Sequence, residues 1–487
     1  MAVTDGLSPK KVFQYFEKIC SIPHGSGNID RMSDYLTDFA RERNLFCIQD
    51  EWKNVVIIKE ATPGYGEEPP IILQGHMDMV AVKKPEAEID LTQDGLELAI
   101  DGDWLFAKDT SLGGDDGIAI AYALAILDSK EIAHPRLEVI FTVDEEVGME
   151  GAINLEVSML QGRRMLNLDS EEEGILLSGC AGGARADWSF SVHRHPMQGE
   201  VYALKVKGLA GGHSGMEIHK GRGNALYLLG RVLNELCEAF PLSVAELQGG
   251  VADNAIPREA KVQMVLAGQQ EQRLKQQVEK IEALLQEELR SREPDMVLEL
   301  KKLPEQEADC LLPEDMRKLV NLLLVAPHGV QAMSAEIEGL VETSLNLGVV
   351  NLERERVEFR FSVRSSLESA KKDLLQRLES LAALAGVSCQ VKGDYPGWAY
   401  RKDSPFRQMA VEVYRQHYGR EPVIQAVHAG LECGILVGKL PGLDCISIGP
   451  DMKDIHTTEE RLSISSTERV WRYILEILKR KTAEKKD

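Results

Sequence analysis

Three adjacent acids follow an apolar run in the stretch FTVDEEVGMEGA, residues 141–152. The residues before them, LEVIFTV, are β-branched or aromatic at most positions, which is typical of a strand buried on both faces. Two glycines after the acids indicate a tight turn. Because ligands of open α/β sheets bind at the carboxyl ends of strands, we expect Asp144, Glu145 and Glu146 to lie beside a ligand.

Further acids and two histidines follow other strand-like runs. ILQGHMD ends on a histidine and an acid, SLGGDDG opens an apolar helix, MLNLDS ends on an acid, and DIHTTEE follows the run DCISIGP. Each residue alone is a weak indication, since single acids usually cap turns or helices and single histidines are usually structural. Together they end strands of one predicted sheet, so we expect them to converge at one edge. They are His76, Asp78, Asp115, Asp116, Glu145, Glu146, Asp169 and His456.

Two histidines and three carboxylates form a donor set that suits a pair of divalent cations of the zinc type. A shared carboxylate can hold two metals about 3.5–4 Å apart, as in two-metal hydrolases. Three carboxylates would offset most of the charge of two dications, whereas buried acids without cations would be strongly unfavourable. We therefore expect two divalent metal ions per chain, zinc first, with cobalt and manganese as alternatives. One of the adjacent glutamates can bind metal while its neighbour serves as general base.

The elements that position these residues alternate between strands and helices. Four strand-like runs, NVVIIK, PIILQGHMD, LEVIFTVDEE and RRMLNLDSEE, precede residue 170, and DGIAIAYALAILDSKEI is apolar enough for a buried helix. This pattern predicts an α/β fold with a mostly parallel mixed sheet. From about residue 187 the strands alternate apolar and polar residues and long charged helices separate them, which is typical of antiparallel sheets. We expect a discontinuous catalytic domain, residues 1–186 and 400–487, interrupted by an inserted α+β domain, residues 187–399.

Length and composition narrow the class of protein. A chain of 487 residues exceeds one ordinary core, so two domains are expected. It has 78 acids and 56 bases, for a formal net charge of -22, which argues against nucleic-acid and anionic-membrane partners. The N-terminal stretch has no signal-like apolar region and no apolar run is long enough to span a membrane, so we expect a cytoplasmic protein. The eight cysteines are scattered without a CxxC pair and are expected to be reduced thiols.

Eight motifs carry a resemblance to a known family, namely QGHMDMV, TSLGGDDGIAIA, TVDEEVGMEGA, LNLDSEE, GGHSGMEIHKGRGNA, DNAIPRE, HAGLECG and DMKDIHTTEE. Over nearly the whole chain they resemble the M20 metallopeptidases, and most closely the aminoacyl-histidine dipeptidases, which cleave dipeptides including carnosine (β-alanyl-histidine). The resemblance implies a zinc-peptidase-like catalytic domain with an inserted lid. It also implies a dinuclear-metal dipeptidase whose substrates keep a free C-terminal carboxylate.

The family pattern implies five metal ligands in two sets that share one acid. The first set is His76, Asp115 and Asp169, and the second is Asp115, Glu146 and His456. The usual family motif at the shared acid is closer to GADNG, so the Asp116 of this chain adds a second carboxylate beside it. Either acid could therefore be the bridge, and Asp115 is favoured.

The resemblance further implies that Glu145 is the general base that acts on a metal-activated water. Asp78 lies two residues past His76, and it is expected to orient that histidine or to tune the base. These two assignments give the strand-end acids different tasks, since Glu145 would transfer a proton and Asp78 would hold its neighbours in place.

The resemblance implies four residues that act on the substrate, three of them in the inserted domain and the fourth, Gly430, after it. His213 would stabilise the tetrahedral oxyanion. Asn254 and Arg364 would hold the C-terminal carboxylate, for which a guanidinium is well suited because it donates two parallel hydrogen bonds. Gly430 would contribute a backbone group. Relatives with a shorter insertion resemble dimers that lend the histidine across their interface, so this longer insertion predicts that His213 acts within its own chain, alone or in a homodimer.

Two alternative functions are compatible with parts of this pattern. An M20 amidohydrolase that deacylates N-acyl amino acids would use the same metal site, but the QGHMDMV and HAGLECG contexts favour the dipeptidase. A metal-free binding protein on the same fold is disfavoured because all five ligands are present. The preferred dipeptides and the group that recognises the substrate amino terminus stay open.

Overall fold

The structure is a computed structural model that describes residues 3–304 and 307–481. The chain divides into two compact units: unit 1 comprises Met1–Gly179, Tyr400–Ala426 and Leu431–Asp487, and unit 2 comprises Cys180–Ala399 and Val427–Gly430. Unit 2 thus begins earlier than the predicted boundary after residue 186 and also includes a short later segment. The assignment of a catalytic role to one unit and a lid role to the other stays a prediction.

Helices and strands are interspersed along the whole described chain. Up to residue 180 they are α1 Lys10–Cys20, α2 Asp30–Glu42, β1 Phe46–Gln49, β2 Val55–Lys59, β3 Ile71–His76, β4 Leu98–Asp101, β5 Trp104–Ala107, α3 Gly114–Asp128, β6 Leu137–Thr142, α4 Glu150–Asn154, β7 Arg164–Asn167 and β8 Ile175–Cys180. From there to residue 399 they are β9 Gly182–Ser191, β10 Arg194–Met197, β11 Glu200–Lys207, β12 Gly212–His213, α5 Ala225–Ala239, β13 Leu242–Gly249, β14 Ala255–Ile256, β15 Ala260–Leu266, α6 Glu271–Leu289, β16 Val297–Lys302, β17 Ala308–Leu311, α7 Pro313–Val325, β18 Gly329–Met333, β19 Val341–Leu352, β20 Arg356–Ser365, α8 Glu368–Leu384 and β21 Ser388–Tyr395. The last elements are α9 Pro405–Tyr418, β22 Val423–Val427, α10 Glu432–Lys439, β23 Asp444–Ser447, β24 Met452–Lys453, β25 Arg461–Ser463 and α11 Ile464–Lys479.

Unit 1 is built on a sheet of eight strands in the order β1-β2-β6-β3-β7-β23-β8-β22. Its centre is parallel, because β3 pairs with β6 and β7, and β7 pairs with β23. Antiparallel pairs flank this centre, namely β1 with β2, β2 with β6, and β23 with β8. The predicted mixed α/β sheet is thereby confirmed. The carboxyl ends of the parallel strands meet at one edge, where His76 ends β3 and Asp169 follows β7.

Helix α3 begins with the GDDG motif and lies in the core of unit 1. Every residue from Gly114 to Leu127 is buried, as expected for a helix that is apolar nearly all round. Helix α1 packs against it, with Phe16 and Ile19 beside Gly117. A helix held on all sides cannot shift along its axis without opening voids. The acids at its first turn therefore have a defined position.

Unit 2 contains a nine-stranded sheet with the order β16-β11-β15-β13-β19-β20-β9-β21, to which β18 adds beside β19. Its pairs are antiparallel, so the predicted antiparallel α+β insertion is confirmed. Helices α5 and α6 pack on the first four strands, and α8 packs on the last three. The two halves of the sheet join through a short contact between β13 and β19, Gln248 opposite Asn351 and Gly249 opposite Val350.

Within residues 3–304 and 307–481, no helix is both long enough and apolar enough to span a membrane.

Candidate metal centre

The carboxylate of Asp115 lies between two histidines that are far apart in the sequence. Its Oδ1 is 3.1 Å from Nε2 of His76, and its Oδ2 is 3.1 Å from Nε2 of His456. The two oxygens of one side chain thus face two different imidazoles. This is the arrangement that a carboxylate shared by two cations requires.

One further acid accompanies each histidine. Asp169 Oδ1 is 3.7 Å from Nε2 of His76, and Glu146 Oε1 is 2.8 Å from Nε2 of His456. The ligand atoms of Asp115, Glu146 and His456 lie within 4.8 Å of one another. The structure therefore brings the five predicted ligands close together, with Asp115 beside both histidines and with Asp116 grouped with His76 and Asp169. Their division into two ligand sets stays a prediction.

Asp116 occupies a different position from its neighbour. It is fully buried, its Oδ2 accepts a hydrogen bond from the backbone N–H of His76 at 3.2 Å, and its Oδ1 has no hydrogen-bond partner. Its ligand atom also lies within 4.8 Å of those of His76 and Asp169. Burial and the neighbouring Asp169 hold the pKa of Asp116 well above its usual range. Asp116 thus bonds to the backbone of one histidine, whereas Asp115 faces two imidazoles, so Asp115 has the geometry of a bridge.

The electrostatics of the cluster indicate that a cation belongs in it. In the part of the chain that the structure describes, neither lysine nor arginine forms an ion pair with Asp115, Glu146 or Asp169. Hydrogen bonds to Asp115 and Glu146 raise the pKa of His456 to about 10. The acids thus draw a proton onto this imidazole, and divalent cations would supply the same compensating charge. The donor set of nitrogen and carboxylate oxygen fits zinc-type ions.

Asp78 connects the first histidine to the loop that carries the two glutamates. The Nδ1 of His76 donates to the backbone carbonyl of Asp78 at 2.9 Å, which leaves Nε2 as the nitrogen that faces Asp115. The Asp78 carboxylate accepts hydrogen bonds from the backbone N–H groups of Glu145 at 3.0 Å and Glu146 at 3.3 Å. Ser26 donates a further bond at 2.8 Å. One buried residue thereby orients the imidazole through its backbone carbonyl and the glutamate turn through its carboxylate.

Glu145 has the environment of a carboxylate that can take up a proton. Burial and the neighbouring Asp169, Glu432 and Glu146 hold its pKa well above its usual range, against a lowering effect of His76. Its ligand atom lies within 4.8 Å of those of His76 and Glu146. Glu145 therefore lies beside the predicted ligands while its charge is poorly compensated.

The four predicted substrate-binding residues all lie in unit 2. His213 on β12 pairs with Ala255 on β14, and the N–H of Ser214 donates to the backbone carbonyl of Asn254 at 2.8 Å. The Nδ1 of His213 accepts hydrogen bonds from the N–H groups of Gly215 at 3.2 Å and Met216 at 3.0 Å. Its proton therefore resides on Nε2, because a nitrogen that accepts two N–H bonds cannot carry one.

Arg364 lies next to His213 and is buried, and no acid of the described residues forms an ion pair with it. A Cβ placed on Gly215 would lie 3.1 Å from His213 Cε1 and 3.2 Å from Arg364 Nε, so only glycine allows these side chains to approach. The Nε of Arg364 has no hydrogen-bond partner, and its Nη1 has only a long contact of 3.4 Å with the Tyr395 hydroxyl. The same hydroxyl lies 2.9 Å from a Cβ placed on Gly430. A buried, unpaired guanidinium is costly, and an anionic ligand would satisfy it.

His428, the first residue of the HAGLECG motif, also belongs to this group, although it was not among the predicted site residues. Its Nε2 lies 2.7 Å from the Ser344 hydroxyl, and burial together with Arg364 lowers its pKa to about 3. It is therefore a neutral residue beside the guanidinium.

Sequence reasoning missed the polar layer that lies beneath the metal ligands. Glu432 is fully buried and accepts hydrogen bonds from Gln74 at 2.7 Å and Thr142 at 2.5 Å. Gln74 in turn accepts one from Asn167 at 2.6 Å. Gln74, Thr142 and Asn167 precede the candidate residues on three adjacent strands. The available signal was the recurrence of polar residues two or three positions before each candidate.

Comparisons with known proteins agree with this geometry. The family profile described as the peptidase dimerisation domain (M20_dimer) matches residues 204–293. The cytosol non-specific dipeptidase of Escherichia coli (strain K12) is 38% identical over 483 residues, which cover 98% of this chain and 99% of that protein.

Solved structures extend the comparison to the fold. The crystal structure of aminoacylhistidine dipeptidase from Vibrio alginolyticus is 39% identical in sequence, covers 99% of each chain and superposes with a TM-score of 0.92. The aminopeptidase PepT from Bacillus cereus is 14% identical, covers 97% of this chain and 98% of its own, and has a TM-score of 0.53. At that identity the second similarity concerns the fold alone.

Proposed function

Because the chain belongs to the M20 family of metallopeptidases, we propose that it is a dipeptidase that works with two divalent metal ions. The peptidase class follows from the similarity to two dipeptidases over nearly the full chain. One observation carries the metal part of the proposal, namely that Asp115 lies 3.1 Å from both His76 and His456.

The two ions, zinc in the first instance, would be held by the five predicted ligands. His76, Asp115 and Asp169 would hold one, and Asp115, Glu146 and His456 the other. When bound, such ions lower the pKa of water and polarise the substrate carbonyl. The chain's own contribution is to orient the donors, and the bond from His76 Nδ1 to the Asp78 carbonyl supports that role because it directs Nε2 towards the site.

Glu145 acts as general base in this proposal and then as general acid. It would accept the proton of the attacking water and deliver it to the leaving amine of the peptide bond. The raised pKa of Glu145 supports both transfers, since a carboxylate with an ordinary pKa would be a weak base near neutral pH. Asp78 accepts a hydrogen bond from the backbone N–H of Glu145, and this bond keeps the base in a fixed position relative to His76.

His213 stabilises the negative charge that develops on the carbonyl oxygen. Its Nδ1 accepts two backbone hydrogen bonds, so the Nε2 proton is available as a donor. Burial and Arg364 lower the pKa of His213, which keeps the imidazole neutral. A neutral imidazole can donate a hydrogen bond to the oxyanion, and it carries no positive charge that would keep the product bound.

Arg364 and Asn254 bind the C-terminal carboxylate of the substrate, and Gly430 supplies a backbone group. The unpaired Nε of the buried Arg364 supports this assignment, because a carboxylate would complete its hydrogen bonding. The two dipeptidases to which the chain is similar support a preference for dipeptides, including Xaa-His dipeptides and β-alanyl-histidine. The name of the first, a cytosol dipeptidase, supports the inference that the enzyme works in the cytoplasm.

We further infer that a single chain supplies the whole catalytic set. Within the matched dimerisation segment, residues 204–293, β13 is the outermost strand on one side of the sheet. It pairs with β19 of the same chain, with Gly249 opposite Val350. That edge is therefore used internally. A homodimer through another surface of unit 2 is compatible with this inference, because neither subunit would supply a catalytic residue to the other. Mixing inactive His213→Ala with inactive Glu145→Gln protein under exchange conditions should restore no activity, and substantial recovery would contradict the inference.

The proposed function is tested with metal analysis and a substrate panel. Purified protein should contain two divalent ions per chain, chelation should abolish hydrolysis, and added zinc, cobalt or manganese should restore it. Carnosine, glycyl-histidine and leucyl dipeptides should be cleaved, and their N-acetylated forms should not. Faster turnover of the N-acetylated forms would instead favour a deacylase of N-acyl amino acids.

A further inference from the structure

A buried acid from the DIHTTEE motif contacts the loop that carries Asp115. Glu460 is only 3% exposed. Its Oε2 accepts hydrogen bonds from the backbone N–H groups of Leu112 at 2.7 Å and Gly113 at 3.1 Å. Its Oε1 accepts those of Gly114 at 2.8 Å and Asp115 at 3.5 Å. One carboxylate thus gathers four consecutive N–H groups.

The conformation of this loop explains why the four groups converge. Gly113 has a φ of 67°, in the left-handed region, and the turn it makes directs successive N–H groups into one concavity. The groups also lie at the start of α3, where N–H groups have no partner within the helix. An anion at this end is favoured by the helix dipole. Glu460 satisfies these donors from a segment that is distant in the sequence.

The same segment contacts Asp115 at its other end. His456, four positions before Glu460, lies 3.1 Å from the Asp115 carboxylate, while Glu460 is bonded to the backbone of that residue and its neighbours. Asp115 is therefore fixed from two directions by one stretch of chain. A rotation of its backbone would break the bonds to Glu460 before it could withdraw the carboxylate from either histidine.

We propose that Glu460 is a positioning residue that sets the orientation of the bridging carboxylate and thereby the affinity for both metal ions. This inference rests on the proposed function, since it takes Asp115 as the shared ligand. Glu460 itself binds no metal and no substrate, because both of its oxygens are used by backbone N–H groups. Its effect is transmitted entirely through residues 112–115.

The test compares Glu460→Gln with Glu459→Gln, its neighbour in the chain. Glutamine keeps the volume of Glu460, but it replaces one acceptor oxygen by an NH₂ group that faces N–H donors. Glu459 provides a matched control, because its carboxylate is exposed and pairs with Lys84. The metal-free proteins are titrated with zinc in the presence of a competing chelator, and the two dissociation constants are measured.

We expect both dissociation constants of Glu460→Gln to rise by roughly 10- to 100-fold, as for other residues that orient metal ligands. Those of Glu459→Gln should match the wild type. Saturating zinc should restore kcat in Glu460→Gln to a larger extent than it restores kcat in a variant of Asp115. That difference separates positioning from a direct ligand role.

A purely structural role for Glu460 predicts another result. The variant would then lose thermal stability in the metal-free state while its zinc affinities stayed equal to those of the wild type, and this would overturn the proposal. If Glu460→Gln does not fold, Glu460→Asp decides the question, because it keeps the charge on a shorter arm. A folded Glu460→Asp with unchanged zinc affinity also refutes the proposal. A wild-type protein that binds fewer than two ions would instead refute the proposed function.

Discussion

The Asp78 carboxylate accepts a hydrogen bond from the backbone N–H of Glu145 at 3.0 Å. The backbone carbonyl of the same Asp78 accepts one from Nδ1 of His76 at 2.9 Å. A proposed metal ligand and the proposed base are thus held by opposite ends of one buried residue. The positions of His76 and Glu145 are therefore coupled through Asp78.

We expect Asp78→Asn to lower kcat by roughly 10- to 100-fold, the usual effect of removing a group that orients metal ligands. The amide retains one acceptor oxygen, so it can serve Glu145 or Glu146 but not both. Steady-state kinetics with a dipeptide check this, and Ser26→Ala is the control, since it removes only the hydroxyl bond to Asp78. Equal kcat values for Asp78→Asn and wild type would contradict the positioning role.

Asp115→Ala should be the most damaging change among the five ligands, because it removes a donor from both ions at once. We expect loss of tight metal binding and of dipeptide hydrolysis. Metal content after dialysis is the measurement, and Asp38→Ala is the control, as this exposed acid pairs only with Arg41. Retention of two tightly bound ions with near-normal turnover would show that Asp115 is not the bridge.

Glu145→Gln and Glu146→Gln form a matched pair with different expected outcomes. Glutamine cannot take a proton, so Glu145→Gln should keep its metal and lose kcat by at least roughly 10²-fold. Glu146→Gln should lose affinity for one ion, because Glu146 lies 2.8 Å from His456 and is a proposed ligand. Parallel measurements of metal content and kcat distinguish the two residues. Equal metal loss in both would refute the division of roles.

Substrates should need a free C-terminal carboxylate. Arg364→Gln is expected to raise KM for dipeptides by roughly 10- to 100-fold, the range of a hydrogen bond to a charged group. Amidated dipeptides should be poor substrates of the wild type. Arg360→Gln, on the same strand β20 but half-exposed and paired with Glu358, should behave like the wild type. Efficient cleavage of an amidated dipeptide that also survives Arg364→Gln would rule out this carboxylate site.

The stability of the metal-free protein should fall as the pH rises from about 6.5 to about 10. Hydrogen bonds to Asp115 and Glu146 raise the pKa of His456 to about 10, above its ordinary value of 6.5. A group whose pKa is raised by folding stabilises the protein fully below the unfolded value and loses that contribution as the pH passes through the folded value. Thermal midpoints of chelator-treated protein measure this.

His456→Gln is the control for this pH dependence. It has no imidazole to titrate, so it should show a flatter decline of the midpoint over the same range. Protein loaded with metal should also lack the decline, since the cations compensate the acids in place of a proton. A wild-type midpoint that does not change between about pH 6.5 and 10 would contradict the assignment.

Much of the fold could be predicted from the sequence, because local patterns determine elements. The β-branched run before Glu145 predicted a buried strand, and the apolar run after Asp116 predicted a buried helix; the structure has β6 and α3 there. The alternation of apolar and polar residues after residue 187 correctly predicted an antiparallel insertion. Residue types at strand ends were enough to select a group of eight that includes His76, Asp115, Glu146, Asp169 and His456, since parallel strands place their carboxyl ends together. The family resemblance then singled out these five as ligands.

Only the tertiary structure decided how those residues divide their tasks. Asp115 and Asp116 are adjacent and chemically identical, and the sequence favoured one by resemblance alone. The conformation at the start of α3 directs one carboxylate at two imidazoles and the other at a backbone N–H. The backbone N–H groups of that segment donate to Glu460, which is 345 residues away from Asp115 in the chain. A hydrogen bond between such distant segments forms only when the whole sheet is assembled, and no local pattern records it.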